Sequence, residues 1–320
     1  MPYQGVASPT SLMNKAQVYY EDLSMAQART VVFLHDWGLS RQEWAYPVAM
    51  FGRGYRTITI DLPGFGRSDQ PGGLVSYESL ARDVGAVMKV LDLNRIILVG
   101  AGMGAAVAIA YATRFARSLA GLVLVGALAP RYTQTGGFPH GIARSRVDDL
   151  LERTQTNWPE LLVDYSKSLC HTAIGDATRQ WFINMGLEAS LYAVQQTLIH
   201  MRDADLRDEL KQVSVPTAVF HGVHDAVAPP ALGEYLAQAI PGARLFRFEN
   251  SGHAVWIDEK LRFNTELTGF IEQDVFGVRV PPAGVEKQPG GGERLPYRKI
   301  AAEQGKSARG RIEGATGETY

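Results

Sequence analysis

The chain has 320 residues, 46% of them hydrophobic and 20% charged, which suits one α/β domain with an insertion. Its formal net charge is −1, which gives no reason to expect nucleic acid or an anionic membrane as a partner. No apolar run approaches the ~18 residues that a membrane span needs, and the first residues show no signal-peptide pattern. The single cysteine, Cys170, cannot form an internal disulfide and fits a reducing compartment, so we expect a cytoplasmic protein.

Strand-like and helix-like segments alternate along residues 1–129. Short apolar, β-branched runs that predict buried strands cover residues 16–20, 30–34, 55–61, 96–99 and 119–125. After the third of these runs, Ser76 is placed to cap a helix that continues to about Leu91. The alternation predicts an α/β fold with a mostly parallel sheet and helices on both faces.

The pattern changes twice further along the chain. Over residues 130–212 the strand signal stops and amphipathic helical segments follow one another, which predicts a helical cap inserted into the core. Strand and helix patterns resume over residues 213–276, so the predicted core consists of residues 1–129 and 213–276. Residues 277–320 are rich in glycine, proline and charge, and we expect this tail to be disordered.

The segment from Arg95 to Arg114 combines a buried apolar run, alternate glycines and a helix of small residues. Its order of strand, sharp turn and helix has the shape of a G-x-nucleophile-x-G elbow, with Gly100 and Gly104 at the outer positions. The nucleophile position itself is Gly102, which carries no side chain. Glycine adopts the positive φ of such an elbow without strain, so the backbone tolerates a replacement that removes the reactive group.

Four motifs in chain order carry a resemblance to a known family. They are HDWG from His35, DLPGFGRSD from Asp61, VGAGMG from Val99, and the pair FHGVHDAVAP from Phe220 and NSGHAVW from Asn250. Over residues 15–275 the chain resembles an α/β-hydrolase of the esterase and cofactor-free haloperoxidase type. The resemblance implies the α/β-hydrolase fold, but it constrains the chemistry less because this fold hosts many functions.

The resemblance also implies which residues surround the nucleophile position. Asp225 corresponds to the acid of the catalytic triad and His253 to its general base, a role that suits a side chain titrating near neutral pH. The backbone N–H groups of Trp37 and Met103 correspond to the two donors of the oxyanion hole. The alternative is that Asp225 caps a turn and that His253 is a buried structural histidine.

The loop after the strand at residues 30–34 departs from the family at one position, where Asp36 replaces a glycine. A carboxylate pointing inward would repel a developing oxyanion. We therefore expect Asp36 to face solvent or to pair with a basic residue.

We expect the substrate pocket to lie between the elbow and the cap. The residues predicted to line it are His35, Phe138, Trp158, Trp181 and Phe182, although the cap aromatics among them are equally compatible with packing of the cap helices. This lining favours a small apolar or aromatic, ester-like ligand. No metal-ligand spacing and no dinucleotide fingerprint is present, so we expect neither a metal nor another cofactor.

Three interpretations of the missing nucleophile remain open. In the first, the chain is an esterase-type hydrolase that has lost its serine and is inactive or weakly active as it stands. In the second, it is a non-catalytic relative that binds a small molecule or a protein. In the third, His253 and Asp225 act as a general base on water or on a substrate proton above Gly102. The first interpretation predicts that Gly102→Ser creates esterase activity.

Overall fold

The computed structural model describes residues 5–7, 17–23, 29–71, 73 and 75–278, all of which belong to one compact unit, Met1–Val280. The predicted tail lies outside the described residues from position 279 onward, so its disorder stays a prediction.

Eight strands form the sheet at the centre of this unit. They are β1 (Gly5–Ala7), β2 (Gln17–Asp22), β3 (Thr30–Leu34), β4 (Arg56–Ile60), β5 (Ile96–Ala101), β6 (Leu119–Val125), β7 (Thr217–Gly222) and β8 (Arg244–Phe248). Their spatial order is β1-β2-β4-β3-β5-β6-β7-β8. The pairs β1–β2 and β2–β4 are antiparallel, and every other neighbouring pair is parallel. The predicted mostly parallel sheet is confirmed.

The α-helices of the described residues are α1 (Ala45–Phe51), α2 (Tyr77–Val90), α3 (Gly102–Arg114), α4 (Arg144–Thr156), α5 (Trp158–Ser168), α6 (Asp176–Leu187), α7 (Leu191–Asp203), α8 (Pro230–Ala239), α9 (Val255–Asp258) and α10 (Lys260–Gly269). The predicted cap of α2 is present, because the Ser76 hydroxyl accepts a hydrogen bond from the Ser79 N–H. At the C-terminal end of the core, the helical segment is divided into α9, α10 and a π-helical turn at Phe270–Val275.

Alternate residues of the central strands face opposite sides of the sheet. Val32 and Leu98 belong to the apolar cluster that includes α2, α3 and α8, whereas Val31 and Ile97 belong to the cluster that includes α1, α9 and α10. All four side chains are fully buried. Burial on both faces is the reason these strands are continuous apolar runs in the sequence rather than alternating ones.

The helices α4, α5, α6 and α7 occupy the interval between β6 and β7, where the strand pattern of the sequence stops. They lie where the sequence predicts amphipathic helical segments. Because they lie in the same compact unit as the sheet, the division of the chain into a core and a cap stays a prediction.

The parallel strands bring four distant loops to one edge of the sheet. β3 leads into the loop that begins at His35, and β5 leads directly into α3 at Gly102. β7 precedes the loop of Asp225, and β8 precedes the loop of His253. Since parallel strands end at the same edge, these residues meet there, although up to 217 positions separate interacting partners along the chain.

Candidate active site

The turn between β5 and α3 has the conformation that the elbow pattern predicts. Gly102 has a φ of +48°, in the left-handed region that favours glycine. At Gly104, an added Cβ would lie 2.6 Å from the Leu34 carbonyl oxygen of the adjacent strand. This close approach of Gly104 to β3 explains why the elbow needs a residue without a side chain where α3 begins.

The space above Gly102 is filled by the side chain of Asp36. A Cβ built on Gly102 would lie 1.6 Å from Asp36 Oδ1 and 2.1 Å from its Cγ. Asp36 is fully buried, so the expectation that it faces solvent is wrong. The alternative expectation, pairing with a basic residue, is the one that the structure bears out, because its carboxylate pairs with His253.

Both carboxylate oxygens of Asp36 accept hydrogen bonds. Oδ1 accepts one from the Met103 N–H at 2.7 Å. Oδ2 accepts one from the Tyr165 hydroxyl at 2.5 Å and lies 3.0 Å from His253 Nε2. One amide of the predicted oxyanion hole is therefore bonded to a side chain of the protein itself, and the nucleophile position is occupied by a carboxylate from a different loop.

The predicted acid and base lie together. His253 Nδ1 is 2.8 Å from Asp225 Oδ2, while Asp225 Oδ1 accepts the N–H groups of Val227 and Ala228, each at 2.8 Å. These two amides hold the carboxylate in the orientation that faces the imidazole. With Asp36 on the other side, the ring of His253 is bonded to a carboxylate through each nitrogen.

This arrangement fixes the charge of the imidazole. Burial by itself would lower the pKa of His253, but the carboxylates of Asp225 and Asp36 raise that pKa well above its ordinary value. Burial likewise tends to raise the pKa of the Asp36 carboxyl, yet His253, Tyr165 and the Met103 amide together lower it. At neutral pH the centre consists of an imidazolium between two carboxylates.

A second carboxyl group, from Glu43, lies directly behind Asp36. Its Oε1 accepts the Asp36 N–H at 3.1 Å, and its Oε2 has no hydrogen-bond partner. Burial and the nearby Asp36 carboxylate raise the pKa of Glu43 well above its ordinary value, which favours the protonated, neutral form of this carboxyl group. No sequence motif marked Glu43, which lies in the short helical turn Arg41–Trp44.

The side chains of His35 and Trp37 hold the loop in place. His35 Nε2 accepts the Leu62 N–H at 2.9 Å, and Nδ1 lies 2.7 Å from the Asp36 carbonyl oxygen. The indole N–H of Trp37 donates to the Val194 carbonyl oxygen at 3.1 Å. These bonds anchor the residues on either side of Asp36, so that its carboxylate is directed at the elbow.

A cavity of about 190 Å³ lies beside this centre. Its wall includes Trp37, Leu128, Tyr165 and Val227, which are neighbours of the acidic and basic groups in sequence or in space. The Tyr165 hydroxyl reaches Asp36 Oδ2 while the residue lines the cavity. Tyr165 therefore separates the cavity from the buried carboxylate.

None of the five residues predicted to line the substrate pocket is in the wall of this cavity, so their role at a substrate site stays a prediction. His35 is bonded within its loop, as described above. Phe138 packs against Tyr235 at a ring separation of 5.1 Å, and Trp158 lies behind Trp37 at 5.8 Å.

The remaining two, Trp181 and Phe182, contact each other at a ring separation of 5.4 Å. Phe182 is buried in the apolar cluster that includes α1, α9 and α10. The contacts of Phe182 agree with the packing alternative, whereas Trp181 also lines a separate cavity beside α1. Periodicity alone does not distinguish the wall of a cavity from the interior of a helical layer.

Among the described residues, no group of three or more histidine, cysteine, aspartate or glutamate side chains is arranged to hold a metal ion. In the same part of the chain, no helix is long and apolar enough to cross a membrane.

Comparisons with known proteins agree on one fold. The family profile described as the alpha/beta hydrolase fold matches residues 29–260. The AB hydrolase superfamily protein YisY of Bacillus subtilis is 36% identical over 255 residues, which cover 79% of this chain and 94% of that protein. A non-heme haloperoxidase of Rhodococcus erythropolis is 28% identical over 265 residues, covering 80% and 96%. An esterase structure from Exiguobacterium antarcticum matches with a TM-score of 0.80 and 31% identity, over 84% of this chain and 98% of that one.

Proposed function

The chain belongs to the α/β-hydrolase family, and from that premise we propose that it is a hydrolase in which the Asp36 carboxylate replaces the serine nucleophile. The observation that carries the proposal is the 1.6 Å separation between Asp36 Oδ1 and the position of a Cβ on residue 102. A serine hydroxyl would lie one bond from that Cβ, so the carboxylate occupies the volume of the absent nucleophile. It also lies within hydrogen-bonding distance of the retained histidine.

The two oxygens of Asp36 have environments that suit the two steps of a carboxylate mechanism. Oδ2 faces His253 and Tyr165, and it becomes free to attack a saturated carbon when Tyr165 releases it. Oδ1 stays bonded to the Met103 N–H. When water later attacks Cγ of the resulting ester, the negative charge develops on Oδ1, where that amide stabilises it.

The proton of His253 connects the two steps. In the first step Oδ2 forms a bond to carbon, the carbon–oxygen bond of a strained cyclic ether breaks, and the leaving oxygen takes the proton from His253 Nε2. Asp36 is then a neutral ester, so the pKa of His253 falls and its neutral ring can accept a proton from water. Attack on Cγ releases a diol and restores the Asp36 carboxylate and the imidazolium.

An epoxide fits this centre better than an acyl ester or an alkyl halide. An acyl substrate needs an oxyanion site, but the Met103 amide is already bonded to Asp36. A halide leaving group needs no proton and would leave His253 charged. The indole N–H groups near the cavity cannot bind a halide in its place, because Trp37 donates to Val194 and Trp158 donates to Gly186. Hydrolysis of acyl esters is expected to be weak or absent.

This proposal differs from the general-base interpretation of the centre. A base must be neutral to accept a proton, whereas the pKa of His253 is raised well above its ordinary value as long as Asp36 is a carboxylate. The imidazole becomes a base only after the charge on Asp36 is removed. Alkylation of Asp36 supplies that change, and a water molecule above Gly102 does not.

A single-turnover experiment in water labelled with heavy oxygen tests the proposal. Styrene oxide is mixed with excess protein in the labelled water, and the protein is then returned to ordinary water. The mass of the tryptic peptide Thr30–Arg41 is measured by mass spectrometry. Asp36 is the sole side-chain carboxylate in that peptide, so attack of labelled water on the Asp36 ester adds one heavy oxygen to it. Protein without substrate and the Asp36→Asn variant are the controls and should gain none.

The outcomes separate the interpretations. Diol formation with label in the diol and none in the peptide would mean that water attacks the substrate directly, and would overturn the role of Asp36. No turnover of epoxides, together with no hydrolysis of aryl esters, would favour a binding protein in which Asp36 simply fills the nucleophile position.

A further inference from the structure

The cavity beside Tyr165 has a charged rim on one helix. Arg146, Leu150 and Arg153 of α4 line it at positions i, i+4 and i+7, so one face of this helix is directed at the cavity. The helix α5 contributes Leu161, Asp164, Tyr165 and Ser168 to the same wall. Two consecutive helices thus contribute to the wall of a space that has the Asp36–His253 centre behind Tyr165.

The body of the cavity is apolar. Trp37, Leu128, Leu161, Leu198 and Val227 contribute to its wall, and each is buried. A ligand in this space therefore gains most of its binding energy from an aliphatic or aryl group. The wall alone would accept any small apolar molecule, so selectivity among such molecules depends on the polar groups at the rim.

The two arginines at the rim differ in their charge balance. Arg153 donates to Asp164 at 2.8 Å, and Asp164 also pairs with Lys167. Arg146 forms no ion pair with a carboxylate of any described residue. Asp149 lines the adjoining cavity of about 200 Å³, which Arg146 also borders, but Asp149 is not part of the wall of the cavity beside Tyr165.

We infer that this cavity binds a small amphiphilic anion, with an apolar body against the wall and a carboxylate held by Arg146. The guanidinium presents two parallel N–H donors that match a carboxylate, and it needs no rearrangement of an existing ion pair to do so. The inference rests on the proposed function for the use of this cavity as the substrate site. It then narrows the substrate to an electrophile that carries an acidic group at the end away from Asp36.

Binding measurements without turnover test this inference separately from the mechanism. The probes are phenylbutyrate and its neutral amide, phenylbutyramide, titrated into the full-length protein and followed by calorimetry and by tryptophan fluorescence, since Trp37 is in the cavity wall. We expect the carboxylate to bind about tenfold more tightly than the amide. Arg146→Gln should remove this preference, and Arg146→Lys should restore part of it.

Arg144→Gln is the matched control. Arg144 is on the same helix and carries the same charge, but it pairs with Asp203 and is not part of the cavity wall. This variant should keep the tenfold preference. The inference is overturned if phenylbutyrate and phenylbutyramide bind equally tightly, or if neither binds at millimolar concentration. It is also overturned if Arg144→Gln weakens the binding of phenylbutyrate as much as Arg146→Gln does. Because no step of this test requires Asp36 to react, failure of the labelling experiment leaves its result unchanged.

Discussion

Introducing serine at position 102 probes the central feature of the site, which is the carboxylate that fills the elbow. A Cβ on residue 102 would lie 1.6 Å from Oδ1 and 2.1 Å from Cγ of Asp36, far inside van der Waals contact. Serine and Asp36 cannot occupy these positions together. Asp36 would have to move away, losing its bonds to Met103, Tyr165 and His253.

Two costs add up in Gly102→Ser. A residue with a side chain at φ +48° stores about 1–3 kcal/mol of backbone strain. Separating the Asp36 carboxylate from the buried His253 imidazolium costs about 3–5 kcal/mol, because a buried charge loses its partner. We expect the free energy of unfolding to fall by about 4 kcal/mol or more, and we expect no esterase activity from this single substitution.

The double variant Asp36→Gly/Gly102→Ser removes the clash and restores the family pattern at both positions. It should be more stable than Gly102→Ser by at least about 2 kcal/mol, whereas additive effects would make it less stable; such a departure from additivity is expected only for residues in contact. It should also hydrolyse short aryl esters, since the Met103 amide and His253 are then free to serve a substrate. Without Asp36 on its second nitrogen, the pKa of His253 is also lower and the ring can act as a base.

Urea unfolding and aryl acetate hydrolysis measure these effects, with Asp36→Gly alone as the control. The interpretation of the site would be refuted if Gly102→Ser alone kept the stability of the unmodified protein and hydrolysed aryl esters. Strictly additive stability changes in the double variant would refute it equally, because they would mean that the two positions do not share one space.

Three further predictions concern the groups around Asp36. Since the pKa of His253 is raised well above 6.5, the native state retains a proton that the unfolded chain loses. The free energy of unfolding, measured by urea titration at several pH values, should therefore fall as pH rises above about 6.5, and it should fall less steeply in Asp36→Asn. Tyr165→Phe removes a hydrogen bond to a charged oxygen and should cost about 1.5–3 kcal/mol in thermal or urea unfolding; a loss below about 0.5 kcal/mol would contradict that role. Glu43→Gln keeps an acceptor for the Asp36 N–H and should change the free energy of unfolding by less than about 1 kcal/mol. Glu43→Ala removes that acceptor and should lower the free energy of unfolding by about 1–3 kcal/mol; equal effects of the two variants would argue against a neutral Glu43.

The sequence alone was sufficient for the fold and for part of the site. Continuous apolar runs indicated strands buried on both faces, and the glycine at position 102 indicated an elbow with positive φ, as observed. Asp225 and His253 were predicted to be partners from the resemblance of their motifs to those of the α/β-hydrolases, and the two side chains do lie together. In each case the signal was local, because a strand, a turn or a loop depends mainly on neighbouring residues.

The tertiary structure decided what surrounds that pair. Asp36 lies next to His35 in the sequence, yet its carboxylate contacts residues 67, 129 and 217 positions away. No spacing rule along the chain specifies such contacts, so the sequence left open whether Asp36 faced solvent or paired with a base. The sequence left the lining of the pocket open for the same physical reason: an aromatic side chain such as Phe182 buries its area equally well inside a helical layer or at the wall of a site. Only the packing of the helices determines which of the two it does.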